Sequence, residues 1–200
     1  MKRKQGMMRH FVWFVTVFSF VALVPSAYAR SKKHGIVETA KSVINEALVV
    51  PPVANEVCFA PDDPCDIKLT KFVQSAKSSL DIAIFDLNLD KLVHEILVQT
   101  KKIQVRILVD RRQAKSDHSL VSLLLKAGAK VKIGHQRGIM HNKFVIVDGK
   151  MLETGSFNFT NGAAFKNNEN QVYLSTPTIV ARYKAQFEKI WSEGIAARLE

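Results

Sequence analysis

The chain has 200 residues, 47% of them hydrophobic, which fits one globular domain with a proper core. It shows no internal repeat and no low-complexity segment, so solenoid and disordered classes are excluded. The formal charge of +11 points towards a polyanionic partner or substrate.

Lys2, Arg3, Lys4 and Arg9 form a basic start, Phe11 to Val24 an apolar stretch, and Ala27-Tyr28-Ala29 a small-residue cleavage site. This reads as a secretory signal peptide over 1–29, cleaved after Ala29, with a periplasmic or secreted destination. About 14 apolar residues are too few for a comfortable membrane span, although an uncleaved anchor is the alternative. The leader holds four of the 29 basic residues and none of the 18 acidic ones, so the remaining 171 residues keep a charge of +7. No stable membrane association is expected after cleavage. Residues 30–56 form an N-terminal helix and linker, with Ile36, Ala40, Val43, Ile44 and Ala47 on one face and Pro51-Pro52 ending it. That helix could pack on the core or help pair two chains.

Cys58 and Cys65 flank Phe59-Ala60-Pro61-Asp62-Asp63-Pro64. In an exported protein this invites a disulfide rather than free thiols, and closing so short a loop adds about 2.5 kcal/mol at most. From Asp66, expected to cap a helix bearing Leu69, Phe72, Val73 and Ala76, strands and helices alternate. Strands are expected over Leu80–Phe85, Val105–Val109 and Ala129–Ile133. Helices are expected over Leu89–Thr100 and His118–Lys126, the second stopped by Gly128. A further strand, Gln171–Leu174, precedes a Pro-started amphipathic helix from Pro177 to Trp191. The expected fold is α/β, a mixed β-sheet sandwiched between helices on both faces, in one domain over 57–194 with a tail at 195–200.

The densest stretch runs from His141 to Asn158, HNKFVIVDGKMLETGSFN. Phe144-Val145-Ile146-Val147 reads as a buried strand closed by the tight turn Asp148-Gly149, with a second strand through Met151 and Leu152. His141 and Lys143 share a face because strand side chains alternate. An imidazole beside an ammonium, joined by the Ser156 hydroxyl and the Asn158 amide, suits the holding of a tetrahedral anion while a nitrogen attacks it.

The spacing His141-x-Lys143-x4-Asp148-x6-Gly155-Ser156-x-Asn158 resembles the HKD motif of the phospholipase D superfamily. Six fixed positions at about 5% usage give roughly 10⁻⁸ per start site by chance, so the pattern is specific. One motif rather than two makes the chain similar to the short bacterial endonucleases, over about Val57 to Gly194. Asn142 departs from the second His of many relatives, and its side chain is expected to face away from His141.

The resemblance implies roles. His141 would attack phosphorus, Lys143, Ser156 and Asn158 would bind phosphate oxygens, and Glu169 would hold His141 through Nδ1. Asp148 belongs to the motif, but turn formation or an ion pair is an equal reading, because it lies at the far end of its strand. Arg111, Arg112 and Arg137 follow strand ends and are candidates for tracking a nucleic-acid backbone. His94 and His118 read as surface residues. His135 and His141 lack an acidic partner at ligand spacing, so neither a metal nor a cofactor is expected. Two histidines are needed and one motif supplies one, so a homodimer with a shared cleft is expected. DNA is the expected substrate, with RNA next. A phospholipase D-type lipid hydrolase and a non-catalytic nucleic-acid-binding module are the alternatives.

Overall fold

A computed structural model describes residues 55–134 and 138–199. The signal peptide, the 36–48 helix, Pro51-Pro52, His135 and Arg137 lie outside the described residues.

Eight strands form one sheet: β1 (Glu56–Ala60), β2 (Ser79–Ile84), β3 (Gln104–Val109), β4 (Lys130–Ile133), β5 (Lys143–Val147), β6 (Met151–Gly155), β7 (Glu169–Leu174) and β8 (Ile195–Ala196). Their order across the sheet is β1-β7-β6-β5-β2-β3-β4-β8. The β2–β3 and β3–β4 pairs are parallel and all others antiparallel. The helices are α1 (Cys65–Gln74), α2 (Asp90–Thr100), α3 (Val121–Lys126), α4 (Asn161–Phe165) and α5 (Pro177–Glu193).

The central strands read as unbroken apolar runs because both of their faces are covered. On one face Leu80, Ile82, Ile84, Val145 and Val147 pack with Leu69, Phe72 and Val73 of α1 and Leu92, Val93 and Ile96 of α2. On the other, Ala83, Leu108, Phe144, Ile146 and Leu152 meet Val180 and Phe187 of α5. The expected mixed sheet between helices is therefore present. Phe187 has no exposed surface, and burying a side chain of its size stabilises by about 1.5–3 kcal/mol. Its ring stacks on Trp191 at 5.6 Å, and the Arg106 guanidinium from β3 lies 4.8 Å from its centroid. Arg106 also forms a two-bond pair with Asp81 on β2 (2.7 and 2.8 Å) and reaches Glu188 on α5. One polar clamp thus fastens α5 across two strands.

Cys58 and Cys65 form a disulfide between β1 and the first turn of α1. Asp66 is not the cap of that helix, because Cys65 already belongs to it and Pro64 stands at the capping position. Buried in the first turn, Asp66 complements the positive helix end, and Lys91 Nζ lies 3.8 Å from its carboxylate. The helix expected from His118 starts only at Val121. A turn closed by the Ser119 amide on the Ser116 carbonyl (2.9 Å) competes with the helix there. Two ends of the sheet extend past the expected domain limits: Glu56 opens β1, and Ile195 and Ala196 pair with Ile133 and Lys132. Among the described residues no helix is long and apolar enough to cross a membrane.

Candidate active site

The topology gathers the motif. Ile84 pairs with Lys143, Gly155 with Gln171, and Ala60 with Glu169. The start of β5, the end of β6, the start of β7 and the C-terminal ends of β1, β2 and β3 therefore lie at one end of the sheet. His141 precedes β5, Lys143 opens it, Ser156 and Asn158 follow β6, and Glu169 opens β7.

The local sequence explains the placing. In the loop after β6, Phe157 and Phe159 are fully buried while Ser156 is exposed and Asn158 half-buried. The two rings press the loop into the core and the polar residues between them are left at the surface. The Phe159 amide and carbonyl bind the segment after β2, with bonds from Phe159 to Asp86 (3.1 Å) and from Asn88 and Leu89 to Phe159 (2.8 Å each). Gly155 is required by close approach, since a Cβ there would overlap the Asn170 carbonyl oxygen of β7. The Ser156 amide donates to that same carbonyl at 3.1 Å.

His141 is exposed, with its ring edge-on to Phe85 at 4.8 Å. Lys143 is 8% exposed, donates to the His141 carbonyl at 2.9 Å, and lies 5.3 Å from the centre of the Phe85 ring. Burial lowers the Lys143 ammonium below its usual range, while the Glu169 carboxylate acts in the opposite direction. Ser156 Oγ donates to Glu169 Oε2 and accepts from the Asn170 amide (3.1 Å) and side chain (3.3 Å). Asn167 donates to Glu169 Oε1 at 3.0 Å. Asn158 Oδ1 is buried without a partner, an unused hydrogen-bonding capacity beside the site.

The structure bears on two expectations. Among the described residues Glu169 accepts from Ser156 and Asn167, and the expected bond from His141 Nδ1 to Glu169 is not made within one chain. Asp148 is at the other end of β5, about 16 Å from Lys143 at the usual rise per residue. There it accepts from the amides of Lys77, Ser78 and Ser79 and from the Ser78 hydroxyl. Burial opposes its charge, but the bonds from Ser79, Ser78 and Lys77 outweigh that and hold its carboxyl below the usual range.

Arg111 and Arg112 are exposed just beyond β3, at the same end of the sheet as His141. His118 sits in the turn before α3, its Nε2 3.5 Å from Asp86. His94 is exposed on α2. Sequence reasoning passed over Phe85, Asn167, Asn170 and Asp110, which support the motif residues. It also passed over Glu153, which is fully buried on β6 with neither oxygen partnered. Burial pushes the Glu153 carboxyl well above its usual range.

The fold is the mixed α/β sheet of phospholipase D-like proteins. The chain belongs to this family: residues 69–191 match the family described as cardiolipin synthase, PLD-like domain. It is 37% identical over 121 residues to the mitochondrial cardiolipin hydrolase of Chlamydomonas reinhardtii, covering 60% of this chain and 54% of that protein. It therefore spans just over half of that relative's length. Identity to the phospholipase D of Rickettsia bellii is 33% over 128 residues, or 63% of each chain. Among solved structures, Nuc of Salmonella typhimurium, a phospholipase D family member, superposes with a TM-score of 0.69 and 25% identity. That match covers 73% of this chain and 99% of Nuc. NucT of Helicobacter pylori gives 0.65 at 22% identity, covering 72% and 99%, a likeness of fold.

Proposed function

We propose that the chain is an exported, metal-independent phosphodiesterase that cleaves nucleic acid, DNA first and RNA second, through a phosphohistidine on His141. The observation that carries this reading is the gathering of exposed His141 with Lys143, Ser156, Asn158 and Glu169 at one end of the sheet. A neutral imidazole nitrogen forms a bond to phosphorus as the bond to the leaving oxygen breaks, and that oxygen takes a proton from a second imidazole. Water, deprotonated by the second ring, then attacks phosphorus and releases His141. Lys143 and the Asn158 amide stabilise the non-bridging oxygens as charge builds on them.

The second imidazole comes from a second copy paired about a two-fold axis, with both His141 rings in one cleft. The superposition covers 99% of Nuc, so a chain of that extent holds the fold described here. The charge of +7 after the leader, and Arg111 and Arg112 beside the site, favour a polyanionic backbone read without base contacts.

A second reading is hydrolysis of a lipid phosphodiester, favoured by the identity to mitochondrial cardiolipin hydrolase. The test is the purified mature protein assayed in EDTA on supercoiled plasmid, RNA and cardiolipin vesicles, with His141→Ala as control. Nicked plasmid, lost in His141→Ala, is expected. Vesicle hydrolysis without plasmid cleavage would establish the lipid reading. Salt-sensitive binding to DNA without turnover of any substrate would instead establish a non-catalytic binding module.

A further inference from the structure

We infer that Asp110 is a positioning residue for His141, holding the catalytic loop and the basic loop in one fixed relation. The inference rests on the nucleophilic role proposed for His141. Asp110 follows β3 and is 2% exposed. Its Oδ1 accepts from the amides of Arg112 (2.8 Å) and Gln113 (3.4 Å), and its Oδ2 from the amide of Met140 (2.9 Å). One carboxylate thus bridges the loop carrying Arg111 and Arg112 and the residue immediately before His141.

Met140 is fixed from its other side as well. It is 4% exposed and packs against Gly134, where a Cβ would come 2.5 Å from Met140 Cβ and 2.7 Å from its Cγ. The Gly134 amide donates to the Val109 carbonyl at 2.7 Å, so Met140 is seated on the end of β3. On the far side of His141, the Lys143 ammonium holds the His141 carbonyl. The main chain at the histidine is therefore fixed just before it by Asp110 and at its own carbonyl by Lys143, while its ring rests on Phe85. This work needs a carboxylate, because both oxygens accept from amides. In an asparagine one of the two positions becomes an NH₂ facing an N–H.

The test compares wild type, Asp110→Asn and Gly134→Ala in the full mature protein. It reads kcat and KM on bis(4-nitrophenyl) phosphate, a diester too small to need the arginine loop, together with thermal unfolding and hydrogen exchange of the Met140 amide. Misplacing a nucleophile by about 1 Å costs on the order of 100-fold, so kcat should fall about 30-fold or more with KM within about threefold. In Asp110→Asn the Met140 amide should exchange faster, while both variants unfold cooperatively above the assay temperature. A folded Asp110→Asn protein with faster Met140 exchange and kcat within about twofold of wild type would overturn the positioning role. If Asp110→Asn does not fold, Gly134→Ala decides by the same kcat criterion, since it displaces Met140 without touching the carboxylate. Absence of turnover in wild type would defeat the functional reading instead. In that case unchanged Met140 exchange in Asp110→Asn overturns the bridge, and faster exchange upholds it.

Discussion

Asp148 stands at φ 55° in the turn after β5, followed by Gly149 at φ 64°, and four hydrogen-bond donors around residues 77–79 converge on its carboxylate. Asp148→Asn keeps a residue that tolerates the left-handed turn while removing the charge. It should lower stability by about 2 kcal/mol at pH 7, since hydrogen bonds to a charged group are among the stronger ones. Turnover per folded molecule should not change. The folded carboxyl is depressed, so its stabilisation is present above the unfolded value near about 4 and is lost as pH falls through the folded value. Urea unfolding at pH 7 and pH 3 should show the gap between wild type and variant closing in acid. Loss of turnover in a folded variant would return Asp148 to the chemistry. The motif marked this residue because a spacing records which residues recur together, not which ones meet. The length of β5 then decides that His141 and Asp148 lie at opposite ends. Asp110 left less trace. It is an acid closing an apolar strand, and its amide partner at Met140 is 30 residues away.

Between elements, the Arg106 clamp is the joint that a strand pattern hides. Arg106 interrupts the apolar run of β3, yet it is largely covered by Phe187 and Trp191 and paired to Asp81, itself 5% exposed. Arg106→Ala would leave the Asp81 charge buried and unpaired, an arrangement that costs about 3 kcal/mol or more. Denaturant unfolding checks this, and a loss below about 0.5 kcal/mol would place α5 under the control of its apolar face alone. The long elements were legible because their apolar periodicity is sustained: Leu92, Val93 and Ile96 in α2, and the β-branched run in β5. The edges were not. β8 is two residues long, too short to show a period. In β1 the alternation of Val57 and Phe59 (exposed) with Cys58 and Ala60 (buried) runs straight into a Pro- and Asp-rich loop.

At the scale of the whole sheet, the motif residues gather at one end, and the chain brings one motif histidine there. A two-fold pair would join two such ends into one cleft, with one His141 neutral to attack and the other protonated to donate. The protonation states belong to the pair, so the rate should trace a bell against pH. The gathering of the motif was legible from strand alternation and spacing, because antiparallel neighbours return to the same end. The absence of a His141–Glu169 bond within one chain was not, since a spacing does not show that Ser156 and Asn167 are the side chains that meet the carboxylate. The most direct measurement mixes wild-type and His141→Ala chains at equal ratio, with complete subunit exchange confirmed, and reads phosphodiesterase activity at constant total chain. If the two rings act as a unit, mixed dimers are nearly silent and activity falls to about one quarter of an unmixed wild-type sample. Activity near one half would show that each chain carries a complete site, contradicting the shared cleft.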